Sequence, residues 1–231
     1  MITTVPTITK VRLKGVIFDM DGVLVDSHPG HLRAWTTFFR EFGINLSNRD
    51  HQYILDGHKR SEILRHFLGE LPEEKIVFYG SVKDRLFSVL DTRVMPGIPE
   101  ILEDLKAAGL KLAVATSASE RRARGMLASA GLIGHFDAIV TGAEVTSGKP
   151  NPALFLLAAR KLNIAARNLL VIEDAPSGAE GARAAGMQCL GISGPEISEL
   201  LCAAGARVAV SSALELSVEA LLKVFPEFSL D

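Results

Sequence analysis

Cysteine is scarce: Cys189 and Cys202 are the only two among 231 residues, both in apolar or alanine-rich surroundings and without metal-ligand spacing. A disulfide framework and a cysteine-based zinc site are thereby excluded, and a reducing, cytoplasmic setting is expected. Long apolar runs are missing too, so no segment predicts a membrane span and no membrane partner is expected. The opening MITTVPTITK lacks a charged start followed by an apolar block, and it predicts a short tail in place of a signal peptide. Nor is there an excess of one charge: 25 Lys and Arg stand against 27 Asp and Glu, a net charge of −2. Without a basic run interleaved with aromatics, nucleic acid is not an expected partner, and any phosphate recognition has to be local. Aromatic residues make up only 6% of the chain against 48% hydrophobic residues overall, so the core has to be built mainly from Val, Leu, Ile and Ala.

Short runs of those residues recur at GVIF (15–18), LKLAVA (110–115), FDAIV (136–140), NLLVI (168–172) and CLGI (189–192). Each predicts a strand buried on both faces. Between them lie amphipathic segments such as PGIPEILEDLKAAG, where Ile98, Ile101, Leu102 and Leu105 share one helical face and Gly109 supplies the stop. A second is PNPALFLLAARKLNI. Parallel neighbours need crossover connections, so strands alternating with helices predict a doubly wound, Rossmann-like α/β sheet. Residues 28–91 break the rhythm with aromatics, histidines and charges at helical spacing and no strand. They predict an inserted α-helical cap domain, leaving 1–27 plus 92–231 as the α/β core, with linkers at Asp26-Ser27 and from Asp91 to Pro96.

In an open parallel sheet, ligands bind beyond the carboxyl ends of the strands. Asp19 and Asp21 follow GVIF, Thr116 and Ser117 follow LKLAVA, Glu173 and Asp174 follow NLLVI, and Lys149 in SGKPNP joins from a fourth segment. Carboxylates converging from several strands repel one another unless they protonate or a hard cation lies among them, and Mg²⁺ with oxygen ligands is the natural choice. Lys149 and the hydroxyls suit a negatively charged phosphoryl group instead. With that group in place, one aspartate can attack as nucleophile and the other can serve as acid and base. A spacing of two along an extended chain turns both side chains to one side. TGAEVTSGKP looks like a nucleotide P-loop, but five residues separate Gly142 from Gly148 and Pro150 stands where a hydroxyl residue is needed, so that reading is rejected. His51, His66 and His135 show no ligand spacing and are assigned nothing.

FDMDGVLVDS, AVATSAS, TSGKPNP and VIEDAPSGAEGARAAGM stand in the order of the four motifs of the haloacid dehalogenase superfamily. Nearly the whole chain after the tail resembles the subfamily whose helical cap is inserted after the first motif. The resemblance implies Mg²⁺-dependent phosphoryl chemistry on a small phosphorylated metabolite. It implies Asp19 as the nucleophile that forms an aspartyl-phosphate, Asp21 as general acid and base, Thr116 with Ser117 as phosphate-binding hydroxyls, and Lys149 as the third-motif lysine. The metal would be held by Asp19, the main-chain oxygen of Asp21 and Asp174, with Glu173 alongside. In the cap, DSHPGHLRAW and LDGHKRSEIL resemble the β-phosphoglucomutases and the sugar-phosphate phosphatases around them. This implies substrate-facing roles for His31, Trp35, Gly57 and Arg60 and, through a looser K-x-x-x-Y spacing to Tyr79, for Lys75. His58-Lys59 departs from the mutases, which carry smaller residues there. The expected activity is hydrolysis of a sugar phosphate; the alternative is a mutase interconverting β-glucose 1-phosphate and glucose 6-phosphate. Carbon–halogen and phosphonate cleavage are disfavoured because Asp21 is present, and a non-catalytic module because no charged motif residue is missing. A monomer is expected by analogy.

Overall fold

The computed structural model describes residues 10–87 and 93–230. The N-terminal tail up to residue 9, and Asp91 at one end of the second expected linker, lie outside the described residues. After β1 (Val11–Arg12), the run GVIF forms β2 (Gly15–Phe18), buried throughout. The chain leaves the sheet through β3 (Val25–Asp26) into α1 (His28–Arg40), α2 (Asn48–Leu55), α3 (Arg60–Leu68) and α4 (Glu73–Leu86). It returns through β4 (Arg93–Val94), antiparallel to β3 with Val25 opposite Val94, so both crossings run side by side in one ribbon. The helix α2 is one that apolar periodicity did not mark. Its start is a reciprocal cap: the Asp50 N–H donates to the Ser47 hydroxyl at 3.3 Å and the Ser47 N–H to the Asp50 carboxylate at 2.7 Å.

Helices and strands then alternate through α5 (Ile98–Ala107), β5 (Lys111–Thr116), α6 (Glu120–Ser129), β6 (Ala138–Thr141) and α7 (Ala153–Leu162). They continue through β7 (Leu169–Glu173), α8 (Pro176–Ala184), β8 (Gln188–Ile192), α9 (Pro195–Ala204) and β9 (Ala209–Val210), an edge strand the apolar runs did not announce. The chain closes with α10 (Val218–Val224) and β10 (Phe228–Ser229), the latter paired with β1.

The main sheet has the order β6-β5-β2-β7-β8-β9 with every neighbouring pair parallel. Its pleat sends alternate residues to opposite faces. Val16, Phe18, Leu112 and Val114 pack with Ile101 and Leu105 of α5 and Met126 of α6, while Ile17, Ala113 and Val171 pack with Phe155 of α7 and Ala182 of α8. This is the expected doubly wound α/β architecture. The strand order reverses about β2, which opens a crevice beyond its carboxyl end. Phe18 lies in register with Val114 and Ile172, so Asp19, Thr116 and Glu173 reach the same edge. Thr116 and Glu173 are themselves the last residues of their strands. Among the described residues no helix is long and apolar enough to cross a membrane.

The four helices α1 to α4 have a core of their own, in which Trp35, Phe38 and Phe39 pack with Ile54, Ile63, Leu64 and Ile76. Phe39 is fully buried, its ring 5.1 Å from that of Trp35 and 4.6 Å from that of Phe67. Trp35 is the chain's one tryptophan, so its fluorescence reports on this cluster. Phe39→Ala leaves a cavity there and is expected to destabilise the helical layer by about 3–5 kcal/mol. The check is a lower denaturant midpoint followed by Trp35 fluorescence; an unchanged midpoint would contradict this packing.

Candidate active site

Asp19 follows β2 directly and is nearly buried at the sheet edge. Lys149, 2% exposed, reaches it from the loop before α7 and places its ammonium between Asp19 Oδ1 and Glu173 Oε1. Glu173 is 0% exposed. Its other oxygen accepts from the main-chain N–H groups of Asp174 (3.2 Å) and Ala175 (3.3 Å). A side chain at Gly178 would collide with the Glu173 carboxylate, with a Cβ only 2.1 Å from its carbon, so glycine in the first turn of α8 makes room for that charge. Glu173, expected beside the metal, is thus committed to Lys149.

One ammonium does not neutralise the carboxylates around it. Burial raises Asp19 to about 6 against the pull of Lys149, with Asp174 and Asp21 adding to the rise. Burial likewise raises Glu173 to about 8. Lys149, which burial alone would discharge, is held charged well above the usual lysine range by Asp19 and Glu173 together. Two carboxylates thus share one ammonium.

Asp21 is treated in the opposite way. Arg122 grips it with two parallel bonds, Nη1 to Oδ1 and Nη2 to Oδ2, each 2.9 Å, and the Ser27 hydroxyl donates to Oδ1 at 2.5 Å. Burial works against its charge, but Arg122 holds it well below the usual carboxylate range. His31 meets cationic side chains at both ring nitrogens, Arg122 Nη1 at Nε2 and Lys83 Nζ at Nδ1, each 2.7 Å away. A neutral imidazole has one acceptor and one donor nitrogen, so with Arg122 permanently charged, Nδ1–H faces a Lys83 amine. Burial, then Lys83 and Arg122, push His31 down to about 3. Burial and Arg122 push Lys83 down to about 7.

Arg122, Lys83 and His28 escaped the sequence reading. His28, at the start of α1, lies with its Nε2 3.2 Å from Asp174 Oδ2, and that bond raises it to about 9 in spite of burial. Lys83 is only 3% exposed, 5.4 Å from the Trp35 ring and 5.1 Å from that of Phe87. Its signal in the sequence was a lysine within the apolar-flanked segment SVKDRLFSVL. Lys75, the lysine expected to face substrate, is exposed on the first turn of α4 and is not in the cleft wall.

The remaining expected residues line one cleft of about 260 Å³ with those above: Thr116, Ser117, Asp174, His31, Trp35, Gly57 and Arg60. Their engagements differ. Thr116 Oγ1 accepts the Ala118 N–H at 3.1 Å, which leaves its hydroxyl proton available, whereas the Ser117 hydroxyl donates to the Gly57 carbonyl at 2.6 Å. Trp35 is buried in the helical core, its ring stacked on Phe39. Arg60 is bonded through Nη1 to Asp84 Oδ2 at 2.6 Å.

Residues 16–192 match the pattern of the family described as haloacid dehalogenase-like hydrolase. The chain belongs to that family. This haloacid dehalogenase-like hydrolase is similar to the phosphorylated carbohydrates phosphatase of Thermotoga maritima, 34% identical over 188 residues that cover 76% of this chain and 83% of that one. It is also similar to hexitol phosphatase A of Escherichia coli, 33% identical over 80% of this chain and 85% of that one. Among solved structures, β-phosphoglucomutase from Clostridium difficile superposes with a TM-score of 0.82 at 26% identity, over 93% of this chain and 98% of that one. The protein is thus an enzyme of the haloacid dehalogenase-like phosphatase kind with a helical cap.

Family membership implies a divalent cation, and the residues fit one. Among the described residues no three acidic, imidazole or thiol side chains close into a metal cage, and the Asp21 carboxylate is turned to Arg122. What the strand ends offer are hard oxygen donors on Asp19 and Asp174, close enough to repel. Gly22 leaves no other room, since at its φ of +80° a Cβ would sit 2.0 Å from Asp174 Oδ2.

Lys83 gives this site a measurable pH signature. It loses its proton near 7 when folded, against an ordinary value of 10.5, so between those values the unfolded chain binds more protons and the Lys83 contribution to stability rises with pH. Lys83→Met removes that slope. Unfolding free energies of the parent and variant are expected to diverge in the parent's favour as pH rises through this window; parallel curves would show Lys83 charged throughout.

Proposed function

We propose that the protein is a Mg²⁺-dependent phosphomonoesterase acting on a small phosphorylated metabolite of the sugar-phosphate class through an aspartyl-phosphate on Asp19. The observation that carries this reading is the buried Asp19 carboxylate at the switch point of the sheet, with the Lys149 ammonium on it and the Asp21 carboxylate beside it in the same cleft. The relatives named as phosphatases of phosphorylated carbohydrates and hexitols support the substrate class. The cleft of about 260 Å³ supports a substrate of that size.

Asp19 attacks phosphorus and the bond to the leaving oxygen breaks. Lys149 fixes the Asp19 carboxylate and offsets charge near the phosphoryl oxygens, toward which Thr116 donates its free hydroxyl proton. Ser117, whose proton is committed to Gly57, holds the cap down instead. Asp21 moves the protons, first to the leaving oxygen and then from the attacking water. Its grip by Arg122 favours the ionised form, which the second transfer needs; the first requires Asp21 to enter protonated, so Arg122 has to release it before the leaving oxygen takes the proton, and the water's proton then restores that form. Asp19, Asp174 and the main-chain oxygen of Asp21 would hold Mg²⁺, which when bound supplies positive charge to the phosphoryl group. Residues 28–91 form the cap that excludes bulk water, and 1–27 with 92–231 form the catalytic core. The mutase reading shares Asp19 and differs in its acceptor, a sugar hydroxyl in place of water.

Asp19→Asn removes the nucleophile while keeping its shape. Phosphate release from sugar and hexitol monophosphates in Mg²⁺ is expected to fall by at least about 10³-fold with an unchanged circular dichroism spectrum. Retained activity would sink the assignment. Isomer formation without phosphate release in the parent would make the protein a mutase.

A further inference from the structure

Arg60 begins α3 in the cleft wall, where an unpaired guanidinium would be a strong, bidentate recogniser of a second phosphate or a carboxylate on the substrate. The structure does not leave it unpaired. The side chain runs across α4 to Asp84, 2.6 Å from Nη1 to Oδ2, and the two are each about one-third exposed, 33% and 32%, within the same wall. A solvent-facing ion pair alone would carry no weight. A second feature shows that the berth is built. Gly80 lies one turn before Asp84, and a Cβ there would meet Arg60 Nε at 2.3 Å and Cζ at 2.5 Å. Glycine is disfavoured inside a helix, and at this place its bare backbone is what lets the guanidinium lie flat on α4. The main chain just before it is tethered as well: the neighbouring Lys59 donates through Nζ to the Val145 carbonyl of the core at 2.8 Å.

We infer that Asp84 is a specificity-determining residue: with Gly80 it turns Arg60 from an anion receptor into half of a neutral pair that reads hydroxyls and refuses a second anionic group. This rests on the phosphomonoesterase reading above. The chemistry follows from the inventory of the pair. Arg60 keeps further N–H donors and Asp84 further acceptor lone pairs, a match for hydroxyls that both donate and accept. A terminal phosphate or carboxylate would find the guanidinium already neutralised and a carboxylate facing it. The substrate class narrows accordingly to polyols and neutral sugars bearing a single phosphate.

The test compares kcat/KM, with Mg²⁺, for a hexitol monophosphate and for a phosphorylated sugar acid of the same length. Asp84→Asn removes the competing charge, and Gly80→Ala, which keeps the helix, displaces Arg60 from its berth. In both variants the ratio of the acid to the hexitol is expected to rise about tenfold or more, the size of one charge-assisted hydrogen bond, with the change carried by KM. A ratio within twofold of the parent overturns the inference, and should Asp84→Asn not fold, Gly80→Ala decides alone. The two readings fail separately: a parent that releases no phosphate from either compound, or does so without Asp19, overturns both, whereas an Asp19-dependent parent with an unmoved ratio overturns only this one.

Discussion

Lys149 places its ammonium between the carboxylates of Asp19 and Glu173, and the rest of the site is arranged around the cost of burying those three charges. Attraction recovers that cost only with close geometry and satisfied lone pairs. The structure meets the requirement with main-chain N–H groups on the back of Glu173, a glycine that clears the first turn of α8, and β7 delivering Glu173 in register with β2. Removing Lys149 would leave two buried carboxylates facing each other without their shared cation. Burial, with Asp174 and Asp21 close by, keeps Asp19 close to the boundary between its two protonation states against the pull of Lys149.

Asp19 and Asp21, two residues apart, are driven in opposite directions from that starting point. Burial and neighbouring carboxylates raise the first; a bidentate arginine depresses the second. Two carboxylates two residues apart thereby acquire different proton affinities. Arg122 comes from α6 on the core, His31 and Lys83 from the helical layer, so the state of Asp21 depends on both parts being in contact.

That contact is made largely through main-chain atoms. Ser177 donates through its hydroxyl to the Asp56 carbonyl and through its N–H to the Asp56 carboxylate, Ser117 to the Gly57 carbonyl, and Lys59 to the Val145 carbonyl. Gly57, at a φ of +76°, lets the loop between α2 and α3 turn tightly enough to reach the core. The departure from the mutases at His58-Lys59 has a physical content here: Lys59 is an anchor from cap to core, and its position beside Arg60 fixes where that guanidinium starts. The cap is therefore held down over the cleft by polar bonds.

The sequence by itself determined the five central strands, that they run parallel, and the residues that stand at their ends, because apolar runs of strand length and the residues that follow them are local facts. That is why Asp19, Thr116, Lys149, Glu173 and Asp174 were legible, with an α/β core and a helical insertion. It did not determine which charged residues on helices are buried. Lys75 and Lys83 sit on the same helix, each beside one acidic and one apolar residue in sequence, yet one is exposed and the other touches His31. Arg122 stands in ERRARG, which has the composition of a solvated face, and it became the partner of Asp21 only when α6 was laid beside β2. Arg60 likewise looked like a free recogniser until α4 supplied Gly80 and Asp84. A side chain's charge is written in the sequence. Its partners, its exposure and its proton affinity are set by distances between elements far apart in the chain, and only the tertiary structure decided them.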